Sequence, residues 1–269
     1  MKTSNHLLRR LTAALLAAVL ALSIALPVFA SDDGDTIYIN SVSDLLSLAR
    51  SCAYDQWSVG KTVILQKDLS LEGMLWEPIP SFSGQFKGNG HTISDLTITG
   101  QYSPAGLFGI VEEQGSIESL SVRGVVSVSD SADTTTGGIA GINHGTLISC
   151  QFTGVVTGDS EVGGIVGRNE SEGTIDHSTA RAIVTGKSST GGIAGYNLGA
   201  ITGCTNVGSI NTEYPEASLD TDGFTAKMVD YINNKMAAAD DDATNSVTNV
   251  ATDTGGIAGR SSGMILTSV

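Results

Sequence analysis

The chain has 269 residues, 28 of them acidic and 14 basic, for a formal net charge of −14 at pH 7. Nucleic acid is therefore not an expected partner, because phosphate binding needs clustered basic side chains, and the acidic surface mainly serves solubility. Three scattered cysteines (Cys52, Cys150, Cys204) with no Cys-x-x-Cys argue against a disulfide scaffold or metal knuckle, while 33 glycines with 5% aromatic residues direct attention to repeats.

Residues 1–30 read as a secretory signal peptide. Lys2, Arg9 and Arg10 precede an uncharged run from Leu11 to Ala30, which ends in Pro27-Val28-Phe29-Ala30. Cleavage after Ala30 removes three basic and no acidic residues, which leaves 11 basic against 28 acidic and a net charge of −17. The expected location is secreted or at the cell surface; an uncleaved membrane anchor is the alternative. No cysteine stands at the cleavage site, which disfavours a lipid anchor.

Residues 31–67 are expected to cap the domain that follows. Ser41-Val42-Ser43-Asp44 followed by Leu45, Leu46, Leu48 and Ala49 predicts a capped short amphipathic helix, and Thr62–Leu65 predicts a strand. Next comes the turn-rich GQFKGNGHTISDLTI at 84–98, expected to form a first coil. Trp57, Trp76, Phe82 and Phe86 lie in this part of the chain and read as cap core rather than a sugar platform.

Residues 68–211 hold the repeats. AGLFG at 105–109, GGIAG at 137–141, GGIVG at 163–167, GGIAG at 191–195 and GGIAG at 255–259 start 32, 26, 28 and 64 residues apart, a period near 28 with one insertion. Alignment on these blocks produces aliphatic columns. One holds Leu107, Ile139, Ile165, Ile193 and Ile257; a second Ile117, Leu147, Ile175, Ile201 and Ile265; a third Val126, Val156, Val184 and Ile210. Short β-branched runs between Gly, Asn, Ser and Thr suit strands and lack helical spacing. Three short strands per period predict one coil of an all-β, right-handed parallel β-helix, a solenoid whose neighbouring coils stack about 4.8 Å apart. Asn143, Asn169 and Asn197 share a column and read as left-handed corner residues that stack their amides. Cys150 and Cys204 share another, with Ser178 between them. Two steps place them about 9.6 Å apart, beyond the limit of about 7 Å for a disulfide.

Residues 212–252 interrupt the repeats. Asp222 followed by Phe224, Met228, Ile232 and Met236 predicts an amphipathic helix ending at Asp240-Asp241-Asp242, either laid on the solenoid flank or protruding as a recognition element. Residues 253–269 are an incomplete final repeat: Val269 falls one residue past the cysteine position. That reads as a fragment whose open coil would offer strand edges for self-association.

With these blocks in view, the chain resembles the GLUG-repeat family of exported bacterial surface proteins, adhesin-like and also found in the non-catalytic part of some immunoglobulin A-cleaving metallopeptidases. GQFKGNGHTISDLTI, AGLFG and the recurrent GGIAGxNxGxIxxC pattern at Gly137–Cys150 and Gly191–Cys204 carry the resemblance. It implies a β-helical structural or binding module on the bacterial surface, with no catalytic, metal-binding or cofactor-binding residues and a surface ligand such as a host glycan or protein. It also leaves open the stalk of a metallopeptidase whose catalytic region is missing.

A search for chemistry finds little. None of His6, His91, His144 and His177 stands in an HExxH frame, and each of the last three reads as a solvated turn residue, His177 at a coil corner. The rival reading is a polysaccharide lyase or hydrolase of the β-helix type, with Asp159, Glu161, Glu170, Glu172 and Asp176 near Arg168 and Arg181 on one exterior face, binding Ca²⁺ and a uronic acid. These carboxylates fall mostly between strands, where charge is expected anyway, and the sequence reads as non-enzymatic.

Overall fold

A computed structural model describes residues 35–54, 56–128, 134–211, 254–266 and 268–269. The expected signal peptide and insertion helix lie outside the described residues. Within them the chain is the expected all-β parallel solenoid with one short helix.

A representative coil runs Ala140–Asn143, Thr146–Ile148, Gln151–Thr157 and Glu161–Gly163. Stacked on their counterparts, these strands form four parallel sheets, here I to IV, of six, eight, seven and four strands. The three strands expected per coil are thus sheets I to III. The fourth is the Thr-Thr-Gly or Glu-Val-Gly segment that leads into each glycine block, two or three residues long and therefore too brief to show as a hydrophobic run.

The aliphatic columns are the core. Val126, Val156 and Val184 pair rung to rung in sheet III, as do Ile117, Leu147, Ile175 and Ile201 in sheet II, and all are fully buried. In the first column Ile139, Ile165 and Ile193 donate N–H in turn to Ile165, Ile193 and Ile257. Lateral hydrogen bonds fix the vertical register, so corner loops of different length, His144-Gly145 and Glu170–Gly173, leave the columns aligned.

The glycine block is demanded by space. A Cβ on Gly138 would lie 2.2 Å from the Phe152 ring, which fills the core across from it. Gly154 adopts a φ of +156°, and a Cβ there would lie 1.8 Å from the carbonyl oxygen of Gly124 on the preceding rung.

At the N-terminal end Ser41 Oγ accepts the Asp44 N–H (3.2 Å), capping the helix Val42–Ser51 as expected. Leu45 and Leu48 are buried where the helix meets strands Thr36–Ile39 and Ile79–Phe82. Thr36–Ile39 and Thr62–Leu65 pair with each other and continue sheet II, so the N-terminal segment is hydrogen-bonded into the solenoid's own sheet. Trp76, Phe82 and Phe86 are buried as expected, the two Phe rings 6.3 Å from each other and 5.4 and 5.5 Å from Phe108. Trp57 is partly exposed, with Lys61 Nζ 5.3 Å from its ring centre.

The asparagine column departs from expectation. The residues do stack their amides, but none has a positive φ, and all three are fully buried. Asn143 Nδ2 donates to Asn169 Oδ1 (2.7 Å), Asn169 Nδ2 to Asn197 Oδ1 (2.8 Å) and Asn197 Nδ2 to Ser261 Oγ (3.2 Å). Each also donates to a corner carbonyl, of Gly145, Gly173 and Gly199. The ladder starts at Asn143, whose Oδ1 is buried without a donor because the rung before it presents Val111. The left-handed corner lies elsewhere, at Ser119, Ser149, His177 and Gly203, each just before the cysteine column.

Candidate functional site

The expected carboxylate face assembles only in part: Glu161 and Glu170 meet at Arg168, whereas Asp159, Glu172, Asp176 and Arg181 stand apart from that cluster. Glu161 sits in a strand of sheet IV and Asp176 in a strand of sheet II, while Glu170 and Glu172 flank a corner. Register then brings Glu161 and Glu170 to one arginine and leaves Glu172 and Asp176 in contacts of their own.

The densest charged cluster centres on Arg168, on the outer face of sheet I. Its guanidinium meets Glu161 Oε1 at 3.2 Å and Glu170 Oε1 at 2.9 Å. Arg168, Tyr196 and Arg260 occupy successive rungs, and the two guanidinium carbons lie 5.0 and 5.6 Å from the Tyr196 ring centre. This arginine–tyrosine–arginine pile is a cation–π contact made by rung spacing. The sequence reading missed it, although the residue following each glycine block, Ile142, Arg168, Tyr196 and Arg260, marks the column.

The remaining candidates are dispersed. Asp159, only 14% exposed, pairs with Lys187 Nζ at 2.5 Å. Asp176 Oδ2 lies 2.9 Å from His177 Nδ1 at the left-handed corner. Arg181 stands two rungs from Arg123 on the outer face of sheet III, with Thr153 between them. Glu172 is exposed beside a shallow corner groove of about 610 Å³ that continues past Leu198, Gly199 and Met264. Its carboxyl is held below the usual range by a hydrogen bond from Ser171, then by its own backbone N–H. Among the described residues no group of three or more His, Cys, Asp or Glu is placed to hold a metal ion.

The histidines expected in turns are in turns. His91 Nδ1 lies 3.1 Å from Asp68 Oδ1, which also accepts the Thr92 N–H at 2.9 Å. The backbone bond and then the imidazole hold the Asp68 carboxyl low. His144 lines a polar corner groove of about 420 Å³ with Glu112 and Glu113, and His6 lies outside the described residues.

Cys150 and Cys204 are free and buried, and Ser178 separates them in register as expected. The Cys150 N–H donates to Ser178 Oγ and the Cys204 N–H to Ser268 Oγ, both at 3.1 Å. Burial pushes the thiols of Cys52 and Cys150 up to about 12 and that of Cys204 up to about 11, which removes them as nucleophiles.

Comparison with known proteins agrees with the motif reading. The GLUG motif profile matches residues 158–185, from the end of one sheet III strand through the next. Halomucin of Haloquadratum walsbyi is 32% identical over 155 residues, 53% of this chain and 2% of that protein. A provisionally named Gly-rich membrane protein of Evansella cellulosilytica is 29% identical over 137 residues, 37% of this chain and 16% of its own length. The chain thus spans a small part of either relative. The crystal structure of a candidate immunoglobulin A1 protease from Bacteroides ovatus aligns over 66% of this chain and 68% of that one, with a TM-score of 0.46 and 16% identity. The chain therefore carries the GLUG motif within its repeat region, where the match spans one full coil of four strands of the parallel β-solenoid.

Proposed function

We propose that this protein is a non-catalytic structural and binding module, exported and held at or near the cell surface, with an adhesin-like role toward a glycan or protein ligand. One observation carries the reading: most of the charged residues that a β-helix enzyme would converge on a substrate are here held in ion pairs. Glu161 and Glu170 hold Arg168, Asp159 holds Lys187, and Asp176 holds His177. Such pairs tie loops to sheets and coils to coils. The buried thiols and the asparagine ladder likewise serve the stack. A relative named as a Gly-rich membrane protein is in keeping with this role, as is the signal-peptide pattern of residues 1–30.

The test sets binding against turnover. The protein is incubated with pectic and other uronic-acid polymers plus Ca²⁺, and unsaturated products are followed by absorbance; glycan and matrix-protein arrays report binding in parallel. Binding without turnover is the expected result. Turnover that disappears when Asp159, Glu161, Glu170 and Glu172 are changed to alanine would overturn the proposal in favour of a lyase. Proteinase shaving of intact cells that fails to release the protein would overturn the surface location.

A further inference from the structure

The loop between the N-terminal helix and the strand Thr62–Leu65 is fastened to the solenoid. The N–H groups of Trp57, Val59 and Lys61 donate in turn to the carbonyls of Tyr54, Gln56 and Ser58, which coils the loop tightly. Buried Ser58 then accepts the Ser83 N–H on its Oγ at 2.9 Å, so the loop is pinned at the corner between Ile79–Phe82 of sheet I and Gln85–Lys87 of sheet II. On the next two coils the same corner begins with Glu112 and His144, aligned because Val111 and Asn143 pair rung to rung. Loop and corner together line the polar groove of about 420 Å³. The loop contributes Gln56 and Val59, and the corner contributes Ser81, Glu112, His144 and the exposed pair Glu113-Gln114.

We infer that this groove binds a neutral sugar residue of a glycan chain. The inference rests on the binding-module reading above and names the class of its ligand. A sugar hydroxyl both donates and accepts, so it needs partners of both kinds, and the groove supplies them: carboxylates that accept, and amides, hydroxyls and an imidazole that do both. The Ser81 hydroxyl donates to Glu112 Oε1 at 2.7 Å, which holds that carboxylate in place. Val59, 41% exposed, adds an apolar contact, and Tyr54 of the same loop, 74% exposed, adds a ring with an apolar face and a polar edge. Two carboxylates repel uronic, sialic and sulfated sugars. A cation, for its part, would be served by carboxylates alone, whereas here hydroxyls and amides outnumber them. The volume lies within the range of about 300–1,000 Å³ of small-ligand sites and suits part of a glycan rather than a folded protein. Gln56 is an independent sign of use. Its φ of +57° is costly for a residue other than glycine or asparagine, so a loop shaped only to turn would carry one of those there.

The experiment titrates the full chain calorimetrically with linear oligomers of galactose, mannose and N-acetylglucosamine, beside two charged probes, an oligogalacturonate and an oligolysine peptide. At least one neutral oligomer should bind. Gln56→Gly, and separately the pair Glu113→Ala with Gln114→Ala, should weaken that binding about tenfold or more, as expected for the loss of one or two polar contacts. Gln56→Gly is the decisive variant, because glycine suits the left-handed backbone and removes the amide without unfolding the loop. Arg260→Ala, on the outer face of sheet I three rungs beyond His144, should leave the affinity unchanged. Tighter binding of either charged probe at these residues would overturn the neutral class. No binding of any neutral oligomer, or binding that both groove variants leave unchanged, would overturn the site. Unchanged binding in the variants would still leave the binding-module reading standing, since that reading falls only with the turnover and shaving tests above.

Discussion

Replacing Asn169 by alanine removes the middle step of the amide ladder, and the structure sets the size of the effect. Asn169 accepts from Asn143 Nδ2 and donates to Asn197 Oδ1 and to the Gly173 carbonyl. Three hydrogen bonds go, at a net value of about 1 kcal/mol each, and Asn197 Oδ1 becomes a buried acceptor without a donor, a further cost of about 1–3 kcal/mol. Because the terms overlap, the expected loss is about 3–5 kcal/mol. Asn143→Ala is the informative comparison. It strands Asn169 Oδ1 but abolishes the unpaired Oδ1 that Asn143 already carries, so the number of orphaned acceptors does not change and the loss should be about 2 kcal/mol. Urea midpoints at constant slope measure the difference, and hydrogen exchange at Thr174 and Ala200, whose strands adjoin the ladder, shows whether the loss is local to these rungs. Asn143→Ala costing as much as Asn169→Ala would refute a cooperative ladder and reduce each asparagine to its own corner bond.

Val111→Thr should be neutral or stabilising by up to about 1 kcal/mol, because its hydroxyl can donate to Asn143 Oδ1, whereas Val156→Thr, equally buried but in the aliphatic column, should lose about 1–2 kcal/mol; equal costs by chemical denaturation would contradict the assignment of the orphan. Gly138→Ala, driven into the Phe152 ring, and Phe152→Ala, which empties the core at the same place, should each cost about 3 kcal/mol or more, yet the double variant should fall at least about 1 kcal/mol short of their sum; additivity in a double-mutant cycle would show that the two do not share that space. The thiols give a pH signature. They ionise near 9 when unfolded and near 11–12 when folded, so above pH 9 the unfolded chain binds fewer protons and stability falls as pH rises from 9 toward 12. The slope of stability against pH should flatten in that window when Cys52 and Cys150 are replaced by alanine, and an unchanged slope would place its origin elsewhere.

The repeats made most of the fold readable, because a parallel solenoid turns alignment into geometry: residues that align become residues that touch. The columns of Ile139, Leu147 and Val156 and the separation of Cys150 from Cys204 by Ser178 follow from that identity alone. What the alignment could not convey is direction. Asn143, Asn169 and Asn197 were readable as a stack, but asparagine suits both a left-handed corner and a buried ladder, and only the backbone angles place it in the ladder. The same holds for the carboxylates. Closeness in sequence suggested that Glu161, Glu170 and Asp176 share a face; the first two do meet at Arg168, whereas the corner after Glu170 carries Asp176 into sheet II, where it pairs with His177. The arginine–tyrosine pile was equally available in the repeat alignment. It escaped notice because unlike side chains in one column look like variation until cation–π attraction is considered.

The lateral register described above lets corners of unequal length sit on rungs that remain level, and this bears on how such a chain changes over generations. Glycine blocks recurring in near-identical form are places where copies of a gene can recombine out of step. A crossover between the block at 163 and that at 191 would delete or add one whole rung, joining Gly-Gly to Gly-Gly with every column still continuous. The reach of the molecule would then vary in increments of about 4.8 Å, as a ruler that mutation can lengthen or shorten by single graduations, while the corners remain free to diverge in whatever they present.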